Sequence, residues 1–255
     1  MTEPKIFYQT WKDLHLPEDF ANNRRKWLLL LNNSVLDQWR TPLLTDVDLR
    51  ELVKVHFPQY LVAYDGFTEN IERVDFARYI MMYIGGVYAD LDTYPLKSIN
   101  GWVGMNKIVL GREPLEHARE KYGREVVICN AFMISPPGKQ IWIDLMDFII
   151  ENYEPHYKPV ENTGPMAMTK FLEAHPEKFK NAKVVITDPC VFFPMMGDGN
   201  MSPRCNVNKD SYVVHVWKNT WVTNPFKDPR WKNRRYWFWG LLAVFSGIWL
   251  WLYLS

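Results

Sequence analysis

Of 255 residues, 47% are apolar and 15% aromatic, enough to bury a sizeable core in one large domain and to exclude a disordered chain. Thirty basic residues face 29 acidic ones, and a formal net charge of +1 gives no reason to expect nucleic acid as a partner. Three cysteines, Cys129, Cys190 and Cys205, have no metal-ligand spacing and cannot all pair within one chain, which favours a reduced compartment.

Residues 5–11 begin with an apolar run that reads as the first strand of a sheet. Its aromatics Tyr8 and Trp11 can stack on a nucleobase or serve as ordinary packing residues. Pro17-Glu18-Asp19 starts a helix with acidic residues at its positive end. Apolar positions then recur at helical spacing through Trp27, Leu30, Leu31, Val35 and Trp39. A second short helix covers 46–57 and stops before Pro58. Asn70 is placed to cap a third helix, which carries Asp75 and Arg78 three apart and therefore on one face. Gly85-Gly86 end that helix, since glycine enters left-handed backbone freely. A short strand over 87–89 then runs into Asp90-Leu91-Asp92. Residues two apart in an extended segment point the same way, so both carboxylates can face one divalent cation.

Further strands are expected over 108–110 and 126–128, and 130–135 is another apolar run ended by a Pro136-Pro137-Gly138 turn. An amphipathic helix follows at 141–150, and Thr163-Gly164-Pro165 opens one more, to about Ala174. Strands over 184–186 and 212–216 complete the alternation. The pattern predicts an α/β fold with a mainly parallel sheet flanked by helices.

Beyond residues 1–222 lies a linker, 223–236, rich in basic residues: Lys227, Arg230, Lys232, Arg234 and Arg235. Residues 237–254 then run for eighteen positions without a charge and carry tryptophans near both ends. At 1.5 Å per residue such a helix spans about 27 Å, close to the hydrocarbon thickness of a bilayer. A single C-terminal membrane helix is therefore expected, or a helix lying in one leaflet, with the basic flank placing the domain in the cytosol. The N-terminus has no apolar run and predicts no signal peptide.

An Asp-x-Asp pair alone is weak evidence. Asp46-Val47-Asp48 has the same spacing at a helix head, where it is expected to cap and to complement the dipole. The second pair is distinguished by its setting at the carboxyl end of a strand, where open α/β sheets bind ligands. Residues 5–12, 73–92 and 130–135, Thr163-Gly164-Pro165-Met166, and the His215…Trp221 element occur in that order. Together they resemble the Asp-x-Asp glycosyltransferases that include yeast-type α-mannosyltransferases and inositol phosphoceramide mannosyltransferases.

That resemblance implies a GT-A nucleotide-diphospho-sugar fold, a Mn²⁺ or Mg²⁺ cofactor, and retention of configuration. The donor would be a UDP- or GDP-sugar and the acceptor a hydroxyl of a membrane lipid or glycan. By position, Asp75 and Arg78 hold the donor sugar and its ribose side, and Asp90 and Asp92 bind metal and diphosphate. Tyr8 and Trp11 fall in the nucleobase segment. His215 completes the metal shell and Trp221 covers the leaving phosphate. Asp75, Arg78 and Asp92 are the catalytic candidates. Two other readings use the same residues: a metal-dependent phospho- or nucleotidyltransferase, and a non-catalytic membrane adaptor.

Overall fold

A computed structural model of the chain describes residues 5–32 and 38–218. The described residues up to Trp217 form one compact unit. Trp221, the linker 223–236 and the candidate membrane helix 237–254 lie outside the described residues. Among the described residues no helix is long and apolar enough to cross a membrane.

The strands are β1 (Lys5–Thr10), β2 (Trp39–Arg40), β3 (Leu43–Leu44), β4 (Gly86–Ala89), β5 (Thr93–Pro95), β6 (Val109–Arg112), β7 (Ile128–Ser135), β8 (Val185–Thr187) and β9 (Val213–His215). The helices that bear on the site are α1 (Glu18–Leu31), α2 (Asp46–His56), α3 (Asn70–Ile84), α4 (Leu115–Tyr122), α5 (Gln140–Glu151) and α6 (Pro165–Ala174). The main sheet has the order β2-β1-β4-β7-β6-β8, with β3 also paired to β1. Its pairings are parallel except at β7, which runs antiparallel to both β4 and β6. The sheet is thus mostly parallel, as expected, with one reversed strand at its centre. Residues 128–135 form that strand as a single buried run, where the sequence reads as two segments. The last strand, β9, leaves the main sheet and pairs antiparallel with β5.

The core has two layers, one on each face of the sheet. On one side Phe76, Tyr79, Ile80, Trp142 and Phe171 from α3, α5 and α6 pack against Tyr88 and Met133. On the other, Trp27 of α1 packs with Phe7, Val87, Phe132, Phe192 and Phe193. Helix α3 is buried along nearly its whole length after residue 74, which forces Asp75 and Arg78 to find partners indoors.

The entry to α3 differs from expectation. Glu72, wholly buried, accepts the Glu69 N–H at 3.0 Å, so the first turn is tied by the residue three ahead. Asn70 reaches sideways instead and donates to Asp46 at 3.0 Å. At the other end the double glycine is required twice over. Gly85 and Gly86 have φ of 98° and 130°, and a Cβ would come within 2.8 Å of the Pro137 nitrogen and 2.5 Å of the Ile6 carbonyl oxygen. The first Asp-x-Asp pair does what its position predicts. Asp48 accepts the Thr45 N–H at 2.8 Å and so caps α2.

Cys190 and Cys205 are joined by a disulfide, and Cys129 is a buried thiol. The bridge runs against the expectation of a reduced compartment, since an odd count prevents full pairing but not one pair. Replacing both bridged cysteines by serine is expected to lower stability by about 3 kcal/mol, the entropy of opening a loop with a sequence separation of 15. A urea melt of the double variant checks this; an unchanged midpoint would mean the loop is held by its other contacts.

Candidate metal and donor-sugar site

The site grows from α3. Arg78 lies between two carboxylates, with Nη1 2.9 Å from Asp75 Oδ1 and Nη2 3.0 Å from Asp90 Oδ1. The guanidinium also covers the Tyr88 ring at 4.9 Å, and the Tyr88 hydroxyl donates to Asp90 Oδ1 at 2.6 Å. Asp75 is fixed from its far side. Asn130 Nδ2 donates to its Oδ1 at 3.0 Å and the Thr163 hydroxyl to its Oδ2 at 3.2 Å. Tyr79 closes this network by donating to the Thr163 carbonyl at 2.6 Å, while its hydroxyl sits 3.3 Å from Asn130 Nδ2. Behind them Gly164 leaves no room, since a Cβ there would stand 3.2 Å from Asp75 Oδ2.

Burial dominates the electrostatics. Asp75, 4% exposed, is pushed up to about 6 by desolvation, against the pull of Arg78. Asp90 is also raised, first by burial and then by Asp92, with Arg78 opposing. Two carboxylates that repel each other in this way are poised for a cation, which would reverse the shift.

The second half of the site is built by β5 and β9. Their register pairs Thr93 with His215, and the Val216 N–H donates to the Asp92 carbonyl at 3.1 Å. Asp92 and His215 are thereby brought side by side, with His215 Nε2 3.2 Å from Asp92 Oδ1. Burial opposes charge on this imidazole, but Asp92 and Asp90 outweigh it and raise its pKa. One ligand atom from each of Asp90, Asp92 and His215 lies within 4.8 Å of the others. Helix α1 pins the connecting turn: Asn23 donates to the carbonyls of Leu91 and Thr93, both at 2.6 Å, and the Trp27 indole to that of Thr93 at 2.7 Å.

Of the residues singled out in the sequence, Asp75, Arg78, Asp90, Asp92 and His215 converge. Tyr8 does not join them; it is 5% exposed in the α2–α3 core and its phenol is pushed up to about 12 by burial. Trp11 packs on Phe20 at 5.0 Å, and its indole N–H has no partner among the described residues. Asn23, Tyr88, Asn130 and Thr163 were not singled out, although the last three lie in segments that carry the resemblance. His117 has no motif context, yet it is buried and stacks on Trp217 at 4.5 Å.

Residues 17–109 match the family described as glycosyltransferase sugar-binding region containing DXD motif. The resemblance to the Asp-x-Asp glycosyltransferases is confirmed. The matched stretch contains Asp75, Arg78, Asp90 and Asp92. Inositol phosphoceramide mannosyltransferase 3 of Schizosaccharomyces pombe is 30% identical over 65% of this chain and 44% of its own length. Inositol phosphoceramide mannosyltransferase 2 of the same yeast is 21% identical over 91% of this chain and 61% of its own. The chain therefore spans less than two thirds of either relative. Among solved structures, mouse xyloside xylosyltransferase 1 superposes with a TM-score of 0.50 at 13% identity, covering 86% of this chain and 99% of that one. That likeness concerns the fold alone and fits a GT-A arrangement.

One buried acid stands apart from the carboxylate pair. Glu113 follows β6, its two oxygens have no hydrogen-bond partner among the described residues, and burial pushes it up to about 8. The folded chain keeps a proton there that the unfolded chain releases near 4.5, so stability falls as pH rises between about 4.5 and 8. His117, held down at about 4 mainly by burial, gives the opposite slope below its ordinary 6.5. Glu113→Gln is expected to remove the alkaline loss alone, gaining on the order of 3 kcal/mol at pH 8.5 and little at pH 4.5. Urea midpoints across that range test it; parallel curves for the two proteins would count against a buried neutral acid.

Proposed function

We propose that this chain is a metal-dependent, retaining glycosyltransferase that moves a hexose from a UDP- or GDP-sugar to a hydroxyl of a membrane lipid or glycan. The observation that carries this is the convergence of Asp90, Asp92 and His215, linked through Arg78 to Asp75, at the carboxyl edge of the sheet. Two hard carboxylates suit Mn²⁺ or Mg²⁺, the imidazole sits better on Mn²⁺ than on Mg²⁺, and a cation would offset the repulsion between the carboxylates. A bound cation would supply Lewis-acid assistance to departure of the nucleoside diphosphate.

The chain's own residues set the rest. Asp75, locked by Asn130 and Thr163, offers a fixed acceptor to donor-sugar hydroxyls, and Arg78 adds positive charge that needs no reorganisation. Trp11, half-buried, keeps the nucleobase role proposed for the first strand, and Trp221 that of a cover over the leaving phosphate. Tyr8 is withdrawn from the base-binding set because its ring is spent in the core. The inositol phosphoceramide named in the two yeast relatives favours a phosphosphingolipid acceptor. A membrane helix over 237–254 behind the linker 223–236 would raise the effective concentration of such a lipid. The Cys190–Cys205 bridge supports an oxidising face for the 1–222 domain, in place of the cytosolic one that the basic flank suggests.

The deciding experiment incubates the purified chain with UDP- and GDP-hexoses and Mn²⁺, without acceptor. Slow release of free hexose and nucleoside diphosphate is expected. A nucleotidyl product would favour the nucleotidyltransferase reading, and no Mn²⁺-dependent binding of any donor would favour the adaptor.

A further inference from the structure

A histidine that ligates a metal through one ring nitrogen ordinarily hydrogen-bonds through the other, and that bond fixes the ring. His215 lacks this support. Its Nε2 faces Asp92, while its buried Nδ1 has no hydrogen-bond partner among the described residues. The ring is held by aromatic contacts instead: Trp217 at 4.3 Å and 40°, and Phe193 at 6.1 Å and 73°.

Trp217 is itself clamped. His117 stacks on it at 4.5 Å and 25°, and its indole N–H donates to the Met195 carbonyl at 2.7 Å. Its backbone φ is 52°, a region that bulky residues seldom occupy, so these contacts must outweigh local strain. His117 is fixed in turn by the Gly197 N–H, which donates to its Nδ1 at 2.9 Å. That bond leaves the ring proton on Nε2, facing Glu113 Oε2 at 3.5 Å. Only glycine fits at 197, because a Cβ would reach within 2.4 Å of His117 Cε1. Met195 and Gly197 both lie in the loop closed by Cys190–Cys205.

We propose that His117 and Trp217, braced by this disulfide-closed loop, are positioning residues that aim His215 at a divalent cation. The stack replaces the hydrogen bond that a ligand histidine usually donates through its other ring nitrogen. The inference rests on the reading of Asp90, Asp92 and His215 as a metal site.

The test measures Mn²⁺ affinity of the donor-free chain from the electron paramagnetic resonance signal of free Mn²⁺, with urea melts in EDTA to monitor folding. His117→Ala, which removes the stack, is expected to weaken the Kd about ten-fold. His117→Phe keeps a flat ring against Trp217 and should stay within about three-fold of the parent. In turnover the KM for Mn²⁺ should rise in the alanine variant while kcat at saturating metal holds, a split that a loss of folded protein would not give. If His117→Ala fails to fold, Trp217→Leu takes its place with the same ten-fold expectation. Unchanged affinity in the folded variant, or equal losses in the alanine and phenylalanine variants, overturns the role of the stack and leaves the metal site standing. A parent chain that binds no Mn²⁺ overturns both.

Discussion

Changing Asp90 and Asp92 together to alanine is expected to reduce donor hydrolysis by at least about 10³-fold while the fold survives. A factor of that size corresponds to about 4 kcal/mol of transition-state stabilisation, within what a cation contributes to a departing diphosphate. The fold should tolerate the change because the two carboxylates repel each other, and burial raises the pKa of Asp90. Arg78 loses Asp90 but keeps Asp75 at 2.9 Å, so the guanidinium is not left alone. The single variants should differ in kind. Asp90→Ala also frees Arg78 and the Tyr88 hydroxyl, so it should weaken donor binding as well as metal binding. Asp92→Ala acts beside His215 and should show first in the Mn²⁺ dependence. Thermal melts with and without Mn²⁺ and a UDP- or GDP-hexose, beside the hydrolysis assay, resolve these effects. Turnover in the double variant close to that of the parent would remove the metal from the mechanism.

The parts of this site that could be read from sequence are the local ones. Asp75 and Arg78 share a helix face because that periodicity is fixed by backbone geometry. Asp90 and Asp92, expected on an extended segment, lie instead in the turn between β4 and β5, closed by the Thr93 N–H donating to the Asp90 carbonyl at 3.0 Å. Gly85-Gly86 were legible from backbone geometry, though their close approach to Pro137 and Ile6 was not. What holds Asp75 in place comes from 55 and 88 residues away, in Asn130 and Thr163, and no local pattern carries that distance. His215 was found by resemblance; its geometric reason is the β5–β9 register. The reversed direction of β7 was hidden because a strand buried on both faces looks alike in either orientation. Tyr8 shows the limit of residue type as a guide. Its neighbour Phe7 packs against α1, so strand alternation sends Tyr8 into the opposite layer, and only the built sheet says which layer that is. Asn70 was the expected cap of α3, but its side chain reaches Asp46 instead, and the first turn is tied by Glu72 accepting the Glu69 N–H.

Arg78→Met is expected to be the most destabilising single change in the site, by about 3–5 kcal/mol at pH 8 in the absence of metal. The methionine fills similar volume, but it leaves Asp75 buried with no opposing charge and Asp90 with its repelling neighbour. The sign of the pH dependence follows from Asp75. Its folded pKa of about 6 lies above the ordinary 3.8, so its contribution to stability is fully present below 3.8 and is lost as pH rises to about 6. Without Arg78 that pKa climbs further, and the loss extends to higher pH. The deficit of Arg78→Met against the parent should therefore be largest at alkaline pH and shrink on acidification. Asp75→Asn supplies the control, since the amide keeps a carbonyl for Asn130 Nδ2 and an N–H for the Thr163 hydroxyl while removing the charge. Adding it to Arg78→Met should recover about 1–3 kcal/mol at pH 8, a coupling that only a shared ion pair explains. All three variants are expected to lose activity, so stability and its pH profile carry the information here. A deficit for Arg78→Met that is below about 1 kcal/mol, or that is flat across pH 5–8, would mean the buried carboxylates are satisfied without the guanidinium. In that case Arg78 would serve the donor alone.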